Sequence, residues 1–289
     1  MTIIGHPTTP PPPYFFPPYG GGGNGSGSGG GTGGSSSSGA PSAPVITPLH
    51  PEMVSHLMST FKFDSKSITP EEKANFEKVL KALDSSQAGD KMLMALDKYY
   101  IDHPAVVPPS ITHNPAAQDT EATFSAQKNE YDFGTLLNDN TTLLSWDLKT
   151  VAHEMYHNFQ YTIAPDQYAN NVNREADAFL FEALVEKQAN VDFNALDMAK
   201  RIEVQNPTTQ AQKNFNAAWE NYVNNGDTSQ SNYDLIINNF ILGSQVGSGY
   251  NFTAPATTTT NEPQFLKDLG FPPEMGDGNP PSNPDPYQH

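Results

Sequence analysis

Apolar residues recur at helical spacing through the middle of the chain. Phe76, Val79, Leu80 and Leu83 fall three and four apart, as one face of an α-helix requires. Ahead of them, Thr69-Pro70-Glu71-Glu72 predicts the helix start. Thr69 can cap, Pro70 suits the first position and Glu72 can close a capping box. A second helix is predicted over about 88–100, with Met92, Leu93, Leu96 and Tyr99 or Tyr100 inward, before the prolines from Pro104 to Pro109 break the pattern. Between Ala122 and Leu144 the apolar positions shorten into strand-like runs at 122–126, 131–137 and 141–144, with Asn138-Asp139-Asn140 suited to a turn. Helical periodicity then returns at about 148–163, 174–188, 210–224 and 233–242.

Strands gathered in one place with helices around them indicate an α+β fold rather than a parallel sheet. The expectation is a mostly helical domain with a small antiparallel sheet ahead of the helix at 148–163. Composition sets its limits. The first 51 residues contain no Asp, Glu, Lys or Arg and carry runs such as Pro10–Pro13, Gly20–Gly23 and Ser35–Ser38, too poor in apolar surface to offset the entropy of ordering. Residues 1–50 are expected as a disordered tail, 51–246 as the domain, and 247–289, rich in Pro, Thr and Asn, as a mostly disordered tail.

Charge and residue usage exclude several functions. The net charge is −17, from 32 acidic and 15 basic residues, which argues against nucleic acid or an anionic membrane as the main partner. There is no cysteine, so disulfides, thiolate catalysis and sulfur-ligated metal sites are excluded. No apolar run is long enough to span a membrane. The start of the chain lacks the basic and apolar regions of an ordinary secretory signal. Two readings of the Pro/Gly/Ser-rich leader stay open: export by a specialised, signal-peptide-independent bacterial system, or a plain flexible tail on a cytoplasmic protein.

The chemistry concentrates in His153-Glu154-Met155-Tyr156-His157. Leu148, Val151, Met155 and Phe159 form one buried stripe. His153 and His157 are four apart, so both imidazoles project from one face about 5.4 Å apart along the axis. That spacing lets two neutral ring nitrogens share one metal ion, while Glu154 can face a water on it and take its proton. The flanks of Thr150-Val151-Ala152-His153-Glu154-Met155-Tyr156-His157-Asn158-Phe159 resemble the longer zincin pattern, and no charged side chain other than Glu154 enters the stretch.

Two histidines need a third protein ligand. The metzincin continuation is absent, since Gln160 and Ile163 stand where its Gly and His would be. No histidine lies between His157 and His289, so the third ligand is expected to be a carboxylate. Asn173-Arg174-Glu175-Ala176-Asp177-Ala178-Phe179 offers Glu175, with Glu182 two turns further on as its rival. This layout resembles the glutamate-zincins, and Glu-Ala-Asp-Ala-Phe resembles short bacterial metallopeptidase and effector-type protease domains; the resemblance covers residues 147–186. It implies one Zn2+ per chain on His153, His157 and Glu175, with Glu154 as general base, in a monomeric endopeptidase acting on a protein or peptide. Many relatives place an Asp four residues after the ligand Glu to orient a zinc histidine, and Phe179 stands there instead. Tyr161, Tyr168, Tyr222 and Tyr233 are candidates for stabilising the oxyanion, and His103 and His113 precede the motif without a geometry to place them. The alternative is a zinc-containing protein-binding domain, or a pseudo-protease adaptor whose segment Pro10–Pro18 docks a proline-reading module.

Overall fold

The computed structural model describes residues 47–113, 122–133, 145–163, 171–189, 202–246 and 266. The chain enters them through helix α1 (Pro51–Thr60), which the sequence reading did not anticipate. Pro51 occupies the first turn, and Met53, Val54, Leu57 and Met58 are its buried face. Strand β1 (Lys62–Phe63) leads to α2 (Pro70–Asp84) and α3 (Gln87–Asp102). The expected capping box starts α2, with Thr69 Oγ1 accepting from Glu72 N at 3.2 Å and Glu72 Oε2 accepting from Thr69 N at 2.6 Å. Ser86 caps α3, accepting from Gly89 N at 3.0 Å.

Three short strands follow: β2 (Ser110–Thr112), β3 (Thr123–Ser125) and β4 (Glu130–Asp132). With β1 they form one sheet in the order β1-β2-β4-β3. This corrects the expected antiparallel sheet. β3 and β4 are an antiparallel pair, Phe124 opposite Tyr131, but β1 with β2 and β2 with β4 run parallel. The sheet is mixed because α2 and α3 return the chain to β1 by a crossover, and only the β3–β4 turn is tight enough for antiparallel pairing. The expected runs beyond residue 133, including the turn at 138–140, lie outside the described residues, as do 1–46 and nearly all of 247–289.

Four further helices complete the described fold: α4 (Ser145–Thr162), α5 (Asn171–Gln188), α6 (Gln210–Asn225) and α7 (Gln230–Gly243). α6 opens on a second capping box, Thr209 with Gln212, and ends at Gly226 in the left-handed conformation (φ 69°), where a Cβ would be strained. α4 packs between α2, α3, β3 and α5, and α5 in turn lies against α7. The core is continuous from Met53 and Leu57 through Phe76, Tyr131, Phe133, Tyr156 and Phe181 to Trp219 and Phe240. α+β is therefore the class. The packing leaves α4 buried along most of its length, with β3, the edge strand among the described residues, beside it.

Candidate metal centre

α4 and α5 lie antiparallel, so residues early in one face residues late in the other. Tyr156 stacks on Phe181 with centroids 4.6 Å apart, and Phe179 packs edge-on against the His153 imidazole at 4.5 Å. Within this frame His153, Glu154 and His157 are 6%, 7% and 8% exposed. They sit almost wholly out of water although all three are polar.

Hydrogen bonds fix how the two imidazoles are turned. Glu182 Oε2 lies 3.2 Å from His153 Nδ1. A carboxylate only accepts, so His153 Nδ1 carries the proton. Gln160 Nε2 donates to Arg174 O at 3.0 Å, which leaves Gln160 Oε1 as the acceptor facing His157 Nδ1 at 2.8 Å. Both Nε2 atoms therefore turn inward. They stand 3.1 Å apart, and Glu175 Oε2 lies 3.5 Å from each. That oxygen is buried and makes no hydrogen bond.

Three groups that can each offer an electron pair to an ion once deprotonated converge here. Donors held about 2.0–2.1 Å from one tetrahedral ion stand roughly 3.3 Å apart, and the observed triangle has edges of 3.1, 3.5 and 3.5 Å. The residues present fit a divalent cation. Among the described residues, His153, His157 and Glu175 form one of two groups placed to hold a metal. In the other, His50, Asp84 and Asp90, His50 Nδ1 and Asp90 Oδ1 are only 2.6 Å apart. That is a hydrogen bond, closer than two ligands of one ion stand.

Electrostatics divide the cluster without metal. Burial lowers His153 to about 4. Burial also opposes charge on His157, but Glu175, Glu154 and the Gln160 hydrogen bond together outweigh it and raise His157 to about 9. Burial works against charge on Glu175 as well, and the adjacent His157 holds it well below the usual carboxylate range. Burial pushes Glu154 up to about 7, aided by Glu175 and opposed by His157 and by a backbone hydrogen bond. That bond comes from Phe124 N, 2.7 Å from Glu154 Oε2, so the outer edge of β3 faces Glu154.

Glu182, the rival third ligand in the sequence reading, instead accepts from the outer nitrogen of His153 and pairs with Lys149 Nζ at 2.7 Å. Asp177 accepts from Tyr233 Oη at 2.9 Å. Tyr222 and Tyr233 are fully buried, whereas Tyr161 is 42% exposed, accepts from Arg174 Nη1 at 2.8 Å and lies 5.9 Å from the Phe124 ring. Tyr168 lies outside the described residues. His103 closes the end of α3, its Nδ1 2.9 Å from Tyr99 O, and His113 pairs with Glu72 at 2.5 Å. Lys149, Gln160 and Phe124 were not singled out from sequence. Lys149 stands four residues before His153, a spacing that marks a shared helix face, but Gln160 and Phe124 carried no signal of their own. Comparison of the chain with protein-family models, curated proteins and solved structures finds no match.

Proposed function

We propose that the chain is a zinc-dependent peptidase, with His153, His157 and Glu175 holding one zinc ion and Glu154 acting as general base. The observation that carries this reading is the convergence of two Nε2 atoms and a buried, unbonded carboxylate oxygen within 3.1–3.5 Å, with Glu154 beside them. Two imidazoles and one carboxylate suit zinc. When bound, zinc supplies Lewis acidity that acidifies water and polarises a scissile carbonyl.

The chain's own residues supply the rest. Glu154 accepts the proton of the attacking water and delivers it to the departing amine nitrogen. Burial raises the Glu154 carboxyl and the charge of a bound ion would draw it back down, two opposed effects on a group that must both take up and release a proton. Glu182 and Gln160 keep both Nδ1 atoms protonated, so Nε2 is the atom each ring can turn to an ion, His157 first giving up the second proton that it holds in the metal-free cluster. Among the described residues β3 pairs on one side only, and its other edge is the one that could receive an extended polypeptide as an added strand. Such a strand would run past Phe124 and place its backbone near Glu154. The substrate class that follows is an unfolded or loop segment of a protein.

The test joins metal content to hydrolysis. Purified wild type is expected to hold about one zinc per chain and to cleave peptides, and Glu154→Gln to hold the same zinc with activity down at least 100-fold. Full activity in Glu154→Gln would remove Glu154 from the mechanism. The low exposure of His153 and His157 and the Phe124 bond to Glu154 favour a second reading, a metal-stabilised binding domain. Stoichiometric zinc in a wild-type chain that cleaves nothing across a proteome-derived peptide library would select it.

A further inference from the structure

We propose that Lys149 is a positioning residue of this centre, acting through Glu182 to set the orientation of His153; the proposal rests on the metal-binding reading of His153, His157 and Glu175. Lys149 precedes His153 by one turn of α4, and Glu182 follows Glu175 by two turns of α5. Antiparallel packing brings all four together. Lys149 Nζ is 2.7 Å from Glu182 Oε1, and His153 Nδ1 is 3.2 Å from Glu182 Oε2. Each carboxylate oxygen thus takes one donor, the ammonium on one side and the imidazole on the other.

Burial gives this arrangement its meaning. Lys149, Glu182 and His153 are 8%, 3% and 6% exposed. A buried ion pair is seldom a gain over apolar residues of the same volume, because desolvating both charges offsets their attraction. Stability alone is therefore a weak reason for Lys149 and Glu182 to lie here. His153 supplies a better one. Its Nε2 faces His157 and Glu175 only while something accepts from Nδ1, and a carboxylate is the stronger acceptor for that task. A buried carboxylate in turn needs compensation, which Lys149 provides. Without the ammonium, Glu182 loses the Lys149 cation that it pairs with, and the cost of keeping its charge buried against the ring rises. The position four residues after Glu175 is taken by Phe179, whose ring packs on the His153 face.

The experiment titrates zinc and cobalt(II) into the metal-free full-length chain, with competition against a chromophoric chelator and the visible spectrum of the cobalt form. Lys149→Met is expected to weaken zinc binding about 10- to 100-fold and to change the cobalt spectrum. Lys149→Arg, which keeps the charge, should stay within about 3-fold of wild type. Glu182→Gln turns an amide donor toward Lys149 and should lose a similar factor. The double variant should be little worse than the weaker single one, because both act through one contact chain. Melting of the metal-free variants shows whether each folds. If Lys149→Met does not, Lys149→Gln takes its place with the same loss expected. Wild-type affinity and spectrum in the folded Met or Gln variant, or fully additive losses in the double, would overturn the role of Lys149. A wild-type chain that binds neither ion fails differently, since it overturns the metal reading itself.

Discussion

Asp84 is fully buried, accepts from His50 N through Oδ2 at 2.8 Å, and leaves Oδ1 without a hydrogen bond. Burial and the neighbouring Asp90 raise its carboxyl from 3.8 to about 7, against the His50 backbone bond. Because the folded-state value lies above the unfolded one, the folded chain binds this proton more tightly. The stability it contributes is complete below about 4 and is lost as pH rises through about 7. Asp84→Asn keeps an acceptor for His50 and removes the charge. Its melting temperature relative to wild type should therefore be higher at pH 8 than at pH 5, and an unchanged difference would count against this account. At this scale the sequence was legible where chemistry is local. His153, Glu154 and His157 share one helix, so spacing alone places them. The partners of their outer nitrogens, Glu182 and Gln160, were not assigned, because a hydrogen bond between helices depends on how those helices are rotated against each other.

Elements were legible in proportion to their local signals. The Thr69 capping box is present as expected, since a cap is decided within four residues. α1 was missed although Met53, Val54, Leu57 and Met58 are its buried face; ten residues beside a proline-rich leader form a helix mainly by packing. That packing includes His50 on Asp90 at 2.6 Å and His56 on Asp97 at 2.5 Å, both joining the start of the domain to α3. Helix pairing also has steric limits. A Cβ on Gly243 would stand 2.5 Å from Ala211 O and 2.7 Å from Phe215 Cβ, where α7 meets α6. Gly243→Ala should accordingly destabilise the chain by about 1–3 kcal/mol, read by chemical denaturation, and an unchanged midpoint would show that the two helices can part freely.

At the scale of the whole molecule, one described residue lies beyond the expected boundary at 246. Leu266, within the stretch read from composition as a tail, is fully buried and joins the core. Leu266→Ala should cost about 2–5 kcal/mol in chemical denaturation, and an unchanged midpoint would contradict a core role for Leu266. No described helix is long and apolar enough to cross a membrane, in line with the hydropathy pattern. By itself the sequence determined the inward faces of α2 and α4, the Thr69 cap and two candidate ligands with a candidate base between them, because each depends on residues within a few turns of one helix. Only the tertiary structure decided that parallel pairs enter the sheet, that Glu175 faces both imidazoles while Glu182 takes the outer side of His153, and that β3 presents its edge to Glu154. Those outcomes depend on the relative rotation and depth of elements distant in sequence, set by packing the whole core at once.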